Sequence, residues 1–210
     1  MTSNPPKLAR DITGYRNLFN EKDWSKLHPD IQRRFSIELH KIITYRGEMS
    51  EVYLSLAGKL LAQLCRLIGT PLALHCEKNV PMLVNVYPNQ ELGGMTWDRF
   101  YHYKNSPLNR VKSTKCLNHN GIEAGLVEMV GFGFGMELKV YEKDHAIFFE
   151  SEKFFWKFKN IAINVPNWFS PGKTVVSQKA LDDHRFEFRL DVEHPILGKV
   201  FKQVGIFESY

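Results

Sequence analysis

Three glycines stand two apart in EMVGFGFGMELKVY (residues 128–141), at Gly131, Gly133 and Gly135. Clustered glycines serve phosphate chemistry when a strand precedes them and a helix opens on the last. Only there do free backbone N–H groups and the helix dipole converge on a pyrophosphate. The spacing here is G-x-G-x-G rather than G-x-G-x-x-G, and MELKVY, which follows, alternates like a strand. The glycines are therefore expected to serve geometry: a bend, a bulge or a close approach in a curved sheet. Phe132 and Phe134 would then project from the same side.

Other constellations resolve in the same way. SPGKT (170–174) lacks the first glycine of a phosphate loop, because Asn167 stands there, and VVSQ after it reads as a strand. Ser170 and Lys173 have a serine–lysine acyl-transfer spacing, but that serine must open a helix, and Pro171-Gly172 prevents one. Cys116 and His119 could form half a metal site with His75-Cys76, provided all four met across strands. A buried free cysteine and a loop histidine are the ordinary alternative. His145, His184 and His194 sit at turns or strand ends, and there is no G-x-S-x-G elbow. No cofactor and no metal site is expected.

The sharpest candidates lie in TWDRFYHY (96–103) and just before the glycines. Trp97, Arg99 and Tyr101 share one face of a strand, with Asp98, Phe100 and His102 on the other. Neither face is cleanly apolar, so Arg99 is free to point into a concave interior. Glu128 ends the apolar face Ile122, Ala124, Leu126. A buried arginine needs a partner, and Glu128 is the candidate. The pair would act either as an ion pair closing the sheet or as the polar anchor of an apolar pocket. Trp97, Arg99 and Glu128 are the expected ligand-binding residues; no catalytic residue is assigned.

These residues need elements to hold them. The chain has 210 residues, with 43% hydrophobic, 24% charged and 13% aromatic residues, ordinary globular values apart from the rich aromatic share. The expectation is a single domain over residues 1–210. A net charge of +5 and a pI near 9.0 raise nucleic acid or anionic lipid as partners. The basic residues are scattered among acids, however, and no nucleic-acid-binding motif occurs, so no nucleic acid is expected. Three cysteines, none in a C-x-x-C pair, speak against a disulfide scaffold. The beginning lacks an apolar signal core and no run is long enough for a transmembrane segment, so the expected location is cytoplasmic.

Helices are expected over about residues 7–69, starting with a weak one in PPKLARDITGYRNLF (5–19) and interrupted by a short extended piece, TYRGEM (44–49), and a β-meander over about 72–208. The strongest helix spans 50–68, with Ser50 as N-cap and Glu51 in the first turn. Its stripe runs Tyr53, Leu56, Ala57, Leu60, Leu61, Leu64, Leu67 and Ile68, and Gly69 and Pro71 end it. Packing against a sheet is the plain meaning of that stripe; a membrane-surface helix is the sharper one. Beyond it the period changes to two. Eight strands follow with short links, which implies antiparallel pairing. RFEFRLDVE (185–193) is the cleanest. The expected fold is α+β: N-terminal helices, then a strongly curved or barrel-like antiparallel meander packed on helix 50–68.

Several segments in this order, GTPLAL, WDRF, VEMVGFGFGMEL, INVPNWFSPG and RFEFRLDVEHPILGKVFKQVGIFE, together resemble the DUF4166 family of bacterial proteins. The resemblance covers roughly residues 15–208. It is carried by Pro71, Trp97-x-Arg99-Phe100, Glu128 with Gly131, Pro166 with Pro171, and Pro195-x-x-Gly198 with Gly205. Phe132 stands where the family often has proline. The resemblance implies a domain sometimes joined to a saccharopine-dehydrogenase-like oxidoreductase, hence a possible oxidoreductase partner, but it supplies no activity.

Three functions are consistent with these residues. The first is non-enzymatic binding of an apolar or amphipathic, lipid-like molecule between the sheet and helix 50–68, in a pocket of several hundred Å³ with Arg99 and Glu128 at its polar end. The second is an accessory module for an oxidoreductase or membrane surface. The third is an enzyme using Glu128 or a histidine as acid or base.

Overall fold

The computed structural model describes residues 15–36, 42–67, 72–117, 125–159, 161–166 and 168–209. A 3-10 turn (Arg16–Leu18) leads into two short helices, α1 (Glu21–Lys26) and α2 (Pro29–Ser36). Then come β1 (Ile43–Leu54), α3 (Leu56–Leu67), β2 (Val80–Asn89), β3 (Gly94–Tyr101), β4 (Asn109–Leu117) and β5 (Leu126–Gly131). The remainder is β6 (Phe134–Lys143), β7 (Ala146–Phe158), β8 (Ile161–Val165), β9 (Lys173–Ala180), β10 (Arg185–His194) and β11 (Gly198–Ser209). The expected first helix falls largely on residues 1–14, and the Gly69-Pro71 stop and the NHNG turn also lie outside the described residues.

Every strand pairing is antiparallel, and ten strands close on themselves. The sheet runs β6-β5-β4-β3-β2-β1-β11-β10-β9-β7, and β6 pairs with β7 to complete the ring. Strand β7 is long enough to serve two neighbours along one edge. Ile147–Glu150 pair with β9, and Phe154–Phe158 pair with β8, which forms a flap beside the barrel. Alternation then sends every second side chain inward. Ten strands enclose more room than the eight that side chains alone can fill. Here aromatics such as Phe149, Phe186, Phe188 and Phe207 take up much of it.

One end of the barrel is stoppered by the N-terminal segment. Phe35 on α2 inserts among the interior rings, with its centroid 5.6 Å from Phe149 and 5.4 Å from Tyr15. The His145 ring ties the β6–β7 turn to the carbonyl of Lys26 at the end of α1, at 2.7 Å. The far end is a filled core that includes Tyr101, Val80, Leu54 and Phe201. In it the Tyr101 hydroxyl and the Gln203 amide satisfy each other at 3.0–3.1 Å.

The α+β barrel-like fold is the one expected, with corrections to its parts. The extended piece at TYRGEM (44–49) belongs to the longer strand β1, which also takes in residues 50–54, assigned to the start of the helix. Ser50 does not cap a helix: its hydroxyl donates to the carbonyl of Val204 at 3.1 Å. The cap of α3 is Ser55, whose Oγ accepts from Gly58 N at 3.0 Å and whose carbonyl accepts from Lys59 N at 2.8 Å. Only part of the apolar stripe is buried. Ala57, Leu61 and Ala62 face the barrel, while Leu56 is 85% exposed and Leu60 and Leu64 share its side. The helix lies close because Gly58 passes against the Val200 carbonyl, where a Cβ would collide.

The glycine stretch is a hairpin turn. Phe132 and Gly133 sit at its centre with φ of 47° and 81°, both positive as a two-residue turn of the primed type requires. Gly131 precedes them in an irregular pairing with φ of 132°. A Cβ on Gly133 would strike the Lys157 carbonyl, and one on Gly135 the Phe155 ring. No helix opens here, so the geometric reading of the glycines holds.

Candidate functional site

Strands β3, β4 and β5 lie side by side and carry the polar part of the interior. Arg99 on β3 stands opposite Val111 on β4, Trp97 opposite Ser113, and Lys115 opposite Glu128 on β5. Trp97, Arg99 and Glu128 are thus brought into one neighbourhood. The pairing between them differs from the expected one. Strand β4 runs between β3 and β5, so Arg99 and Glu128 are not neighbours across a ladder. Glu128 pairs instead with Lys115, Nζ to Oε1 at 3.0 Å, with side chains only 5% and 7% exposed. Arg99 Nη1 donates to Ser113 Oγ at 3.1 Å. Lys115, Arg99 and Ser113 all favour the ionised form of the Glu128 carboxyl.

Electrostatics follow from burial and these partners. Burial pushes the Glu128 carboxyl up, but Lys115, Arg99 and Ser113 outweigh it and hold the group below its ordinary value. Burial pushes the Lys115 ammonium down, and Arg99 adds to that, while Glu128 opposes it. The ammonium also lies over the Trp97 ring, 4.5 Å from its centroid, and 5.5 Å from that of Phe149. Burial, then the charge of Glu128, raises the Tyr15 phenol well above its ordinary value, so it stays protonated.

The second polar group comes from the stopper. Arg34 on α2 stacks its guanidinium on Phe186, with Cζ 3.2 Å from the ring centroid, and on Tyr45 at 4.7 Å. Its Nη2 donates to Gln178 Oε1 on β9 at 2.8 Å. Between stopper and wall lies a cavity of about 40 Å³, lined among others by Arg34, Phe35, Trp97, Arg99, Lys115 and Phe149. It is far smaller than the several hundred Å³ expected and sits under α2, not under the helix that follows β1. Phe35 and Arg34 occupy the room that ten strands leave. Sequence reasoning missed Arg34, Lys115 and Ser113. The signal for the latter two was the alternation Val111, Ser113, Lys115, hidden because this inner face is polar.

The remaining constellations separate. Lys173 Nζ pairs with Glu150 at 2.6 Å, and Ser170 Oγ accepts from Gly172 N at 3.2 Å within a loop. His194 is a structural clasp: its Nδ1 faces Ile196 N and Leu197 N at 3.2 and 3.3 Å, and its Nε2 the Trp168 carbonyl at 3.3 Å. Cys65, Cys76 and Cys116 are free thiols. Cys76 Sγ accepts from Leu54 N at 3.3 Å. His119 lies outside the described residues, and among those described no three His, Cys, Asp or Glu side chains gather as metal ligands. Among the described residues no helix is long and apolar enough to cross a membrane.

A closed antiparallel barrel, stoppered by a helix and holding a charged cluster among aromatics, is the class of architecture in which small ligands are enclosed. Residues 27–207 match the family described as domain of unknown function (DUF4166), and the chain belongs to that family. No curated protein and no solved structure matches the chain.

Proposed function

We propose that the barrel is a non-enzymatic carrier or sensor of an amphipathic, lipid-like small molecule, held between its inner wall and α2. The observation that carries this reading is the stopper itself. The interior is completed by Phe35 and Arg34, which enter from an eight-residue helix outside the sheet and can be exchanged for a ligand without breaking a ladder. The cavity of about 40 Å³ holds only about three water-sized particles, so an alkyl chain enters by displacing α2. Trp97, Arg99 and Glu128 belong to the wall that such a ligand meets. Native mass spectrometry after gentle purification, with titration of a fluorescent apolar probe, tests this. Saturable binding is expected, tighter in Phe35→Ala, which vacates interior space. No saturable binding in either protein overturns the reading.

The acid/base role once open to Glu128 has less support. A carboxylate held down by two cations is a weak base at neutral pH. A second reading, an accessory module that docks on an anionic membrane surface, is favoured by one observation. Leu56, Leu60, Trp168, Phe169, Ile196 and Leu197 are all exposed at the end opposite the stopper, with Lys59 and Lys199 exposed beside them. Ser55 N donates to the Val200 carbonyl at 3.1 Å, which holds α3 next to the Ile196-Leu197 turn. Sedimentation with anionic vesicles that is lost in Trp168→Ser/Phe169→Ser supports it; no sedimentation overturns it.

A further inference from the structure

The interior carries more positive charge than it can neutralise. Arg34, Arg99 and Lys115 line the cavity, and no carboxylate is among its described lining residues. Glu128, the carboxylate nearest to them, is already engaged by Lys115. Arg99 has a neutral serine hydroxyl at its Nη1, and Arg34 a neutral amide oxygen at its Nη2. Among the residues that line the cavities the unpaired buried atoms are hydrogen-bond donors, while on α2 Asp30, whose Oδ1 pairs with Arg33, keeps a buried Oδ2 without a partner among the described residues. Arg34 Nε and Nη1 are buried and find no acceptor among the described residues, and neither does the Tyr15 hydroxyl. Tyr15 lines a second, smaller cavity of about 10 Å³ on the other side of Lys115. Buried donors without acceptors are rare in folded proteins because each forfeits its hydration. Both come from the N-terminal segment, Arg34 on α2 and Tyr15 just before the 3-10 turn, and the cations Arg99 and Lys115 line the same cavity as Arg34, so what is missing is an acceptor of negative charge.

We infer that the interior ligand has an oxyanionic head group, a carboxylate or a phosphate monoester, seated between Arg34 of α2 and the Arg99–Lys115 wall. This rests on the reading of the barrel as an amphiphile binder and names the class of amphiphile. The space already present is of head-group size, and the unpartnered N–H groups of Arg34 are those of Nε and Nη1. The Nε–H points to the Nη2 side, so the two do not form a fork; each offers a separate charge-assisted hydrogen bond. The aromatic rings around the cavity then receive the start of the apolar tail. Because Arg34 rides on α2, the head group also decides the position of the stopper: a ligand that binds Arg34 draws α2 back over the tail, whereas a neutral one leaves it displaced.

The test uses the full chain and three fluorescent long-chain probes of equal length: a carboxylate, an alkyl phosphate and the methyl ester of the carboxylate. The better anion is expected to bind at least about tenfold tighter than the ester, the yield of one or two charge-assisted hydrogen bonds. The anion that binds tighter identifies the head-group source. In Arg34→Met that advantage is expected to shrink towards unity while ester affinity is retained, which shows that the barrel is still folded. Arg34→Lys, which keeps the charge but loses the guanidinium's separate donors, should fall between. If the ester binds wild type as tightly as both anions, the head-group assignment is overturned and amphiphile binding stands. If none of the three binds, amphiphile binding itself is overturned. An anion preference untouched in Arg34→Met and lost in Arg99→Met removes Arg34 from the site.

Discussion

Lys115 and Glu128 form the pair whose substitution is most informative at the scale of single residues. Each is buried, and each is tolerated inside because the other is there. Lys115→Met strands a carboxylate in an aromatic interior, at a cost of about 3–5 kcal/mol. The double substitution to Met should recover most of that, since both charges leave together. Chemical denaturation of the two singles and the double closes the cycle; additive losses would show that the pair is not coupled. An acid/base role for Glu128 instead predicts that Glu128→Gln keeps the fold and loses turnover. The direction of the Glu128 shift sets the pH dependence. A carboxyl held lower in the folded state than its ordinary value of 4.5 lends stability above that value, which is lost as pH falls through the folded value. The wild-type melting temperature should therefore decline on acidification below about pH 4.5, and more steeply than that of Glu128→Gln.

At the scale of elements, the two serines near the start of α3 make a sharp comparison. Ser55→Ala removes the hydroxyl that accepts from Gly58 N and should cost about 0.5–2 kcal/mol. Ser50→Ala, in a strand, should cost clearly less; thermal melts of both measure the difference. The pair also shows how much of the fold was legible. The alternating strands β2, β3, β5–β7 and β9–β11 could be read, since one face of each meets the core. Strand β1 could be read as extended only as far as Met49; there its bulge leaves Met49 and Val52 both inward, and a spacing of three imitates a helix. Strand β4 was disguised by the site, since Ser113 and Lys115 on its inner face make it read as a polar loop. Strand β8 is exposed on both faces. Trp97, Arg99 and Glu128 were legible because charge at a core-facing position stands out. Arg34 was not, because nothing in an amphipathic helix announces that one of its arginines points indoors.

At the scale of the whole molecule, the barrel and its stopper should differ in how readily they open. Among the described residues the ring has no free edge apart from the β8 flap, whereas α1 and α2 are only about two turns each and lie across its mouth. Hydrogen exchange is expected to be fast in α1 and α2 and slow in β1, β10 and β11, with ligand slowing exchange in α2 above all. Uniform protection across both parts, unaltered by a bound amphiphile, would count against an exchangeable stopper.

The seam between β1 and β11 carries a further consequence. Tyr45 pairs with Ser209 and Leu54 with Phe201, so the first strand waits for the last. During synthesis, β1 has β2 beside it and a bare edge on its other side until β11 has also left the ribosome. Closing so distant a contact is slow, and an open edge in the interval can recruit another chain. The N-terminal helices emerge before either neighbour. A stopper already at hand, with Phe35 ready to cover nascent aromatics, gives the unfinished sheet something of its own to hold until β11 arrives.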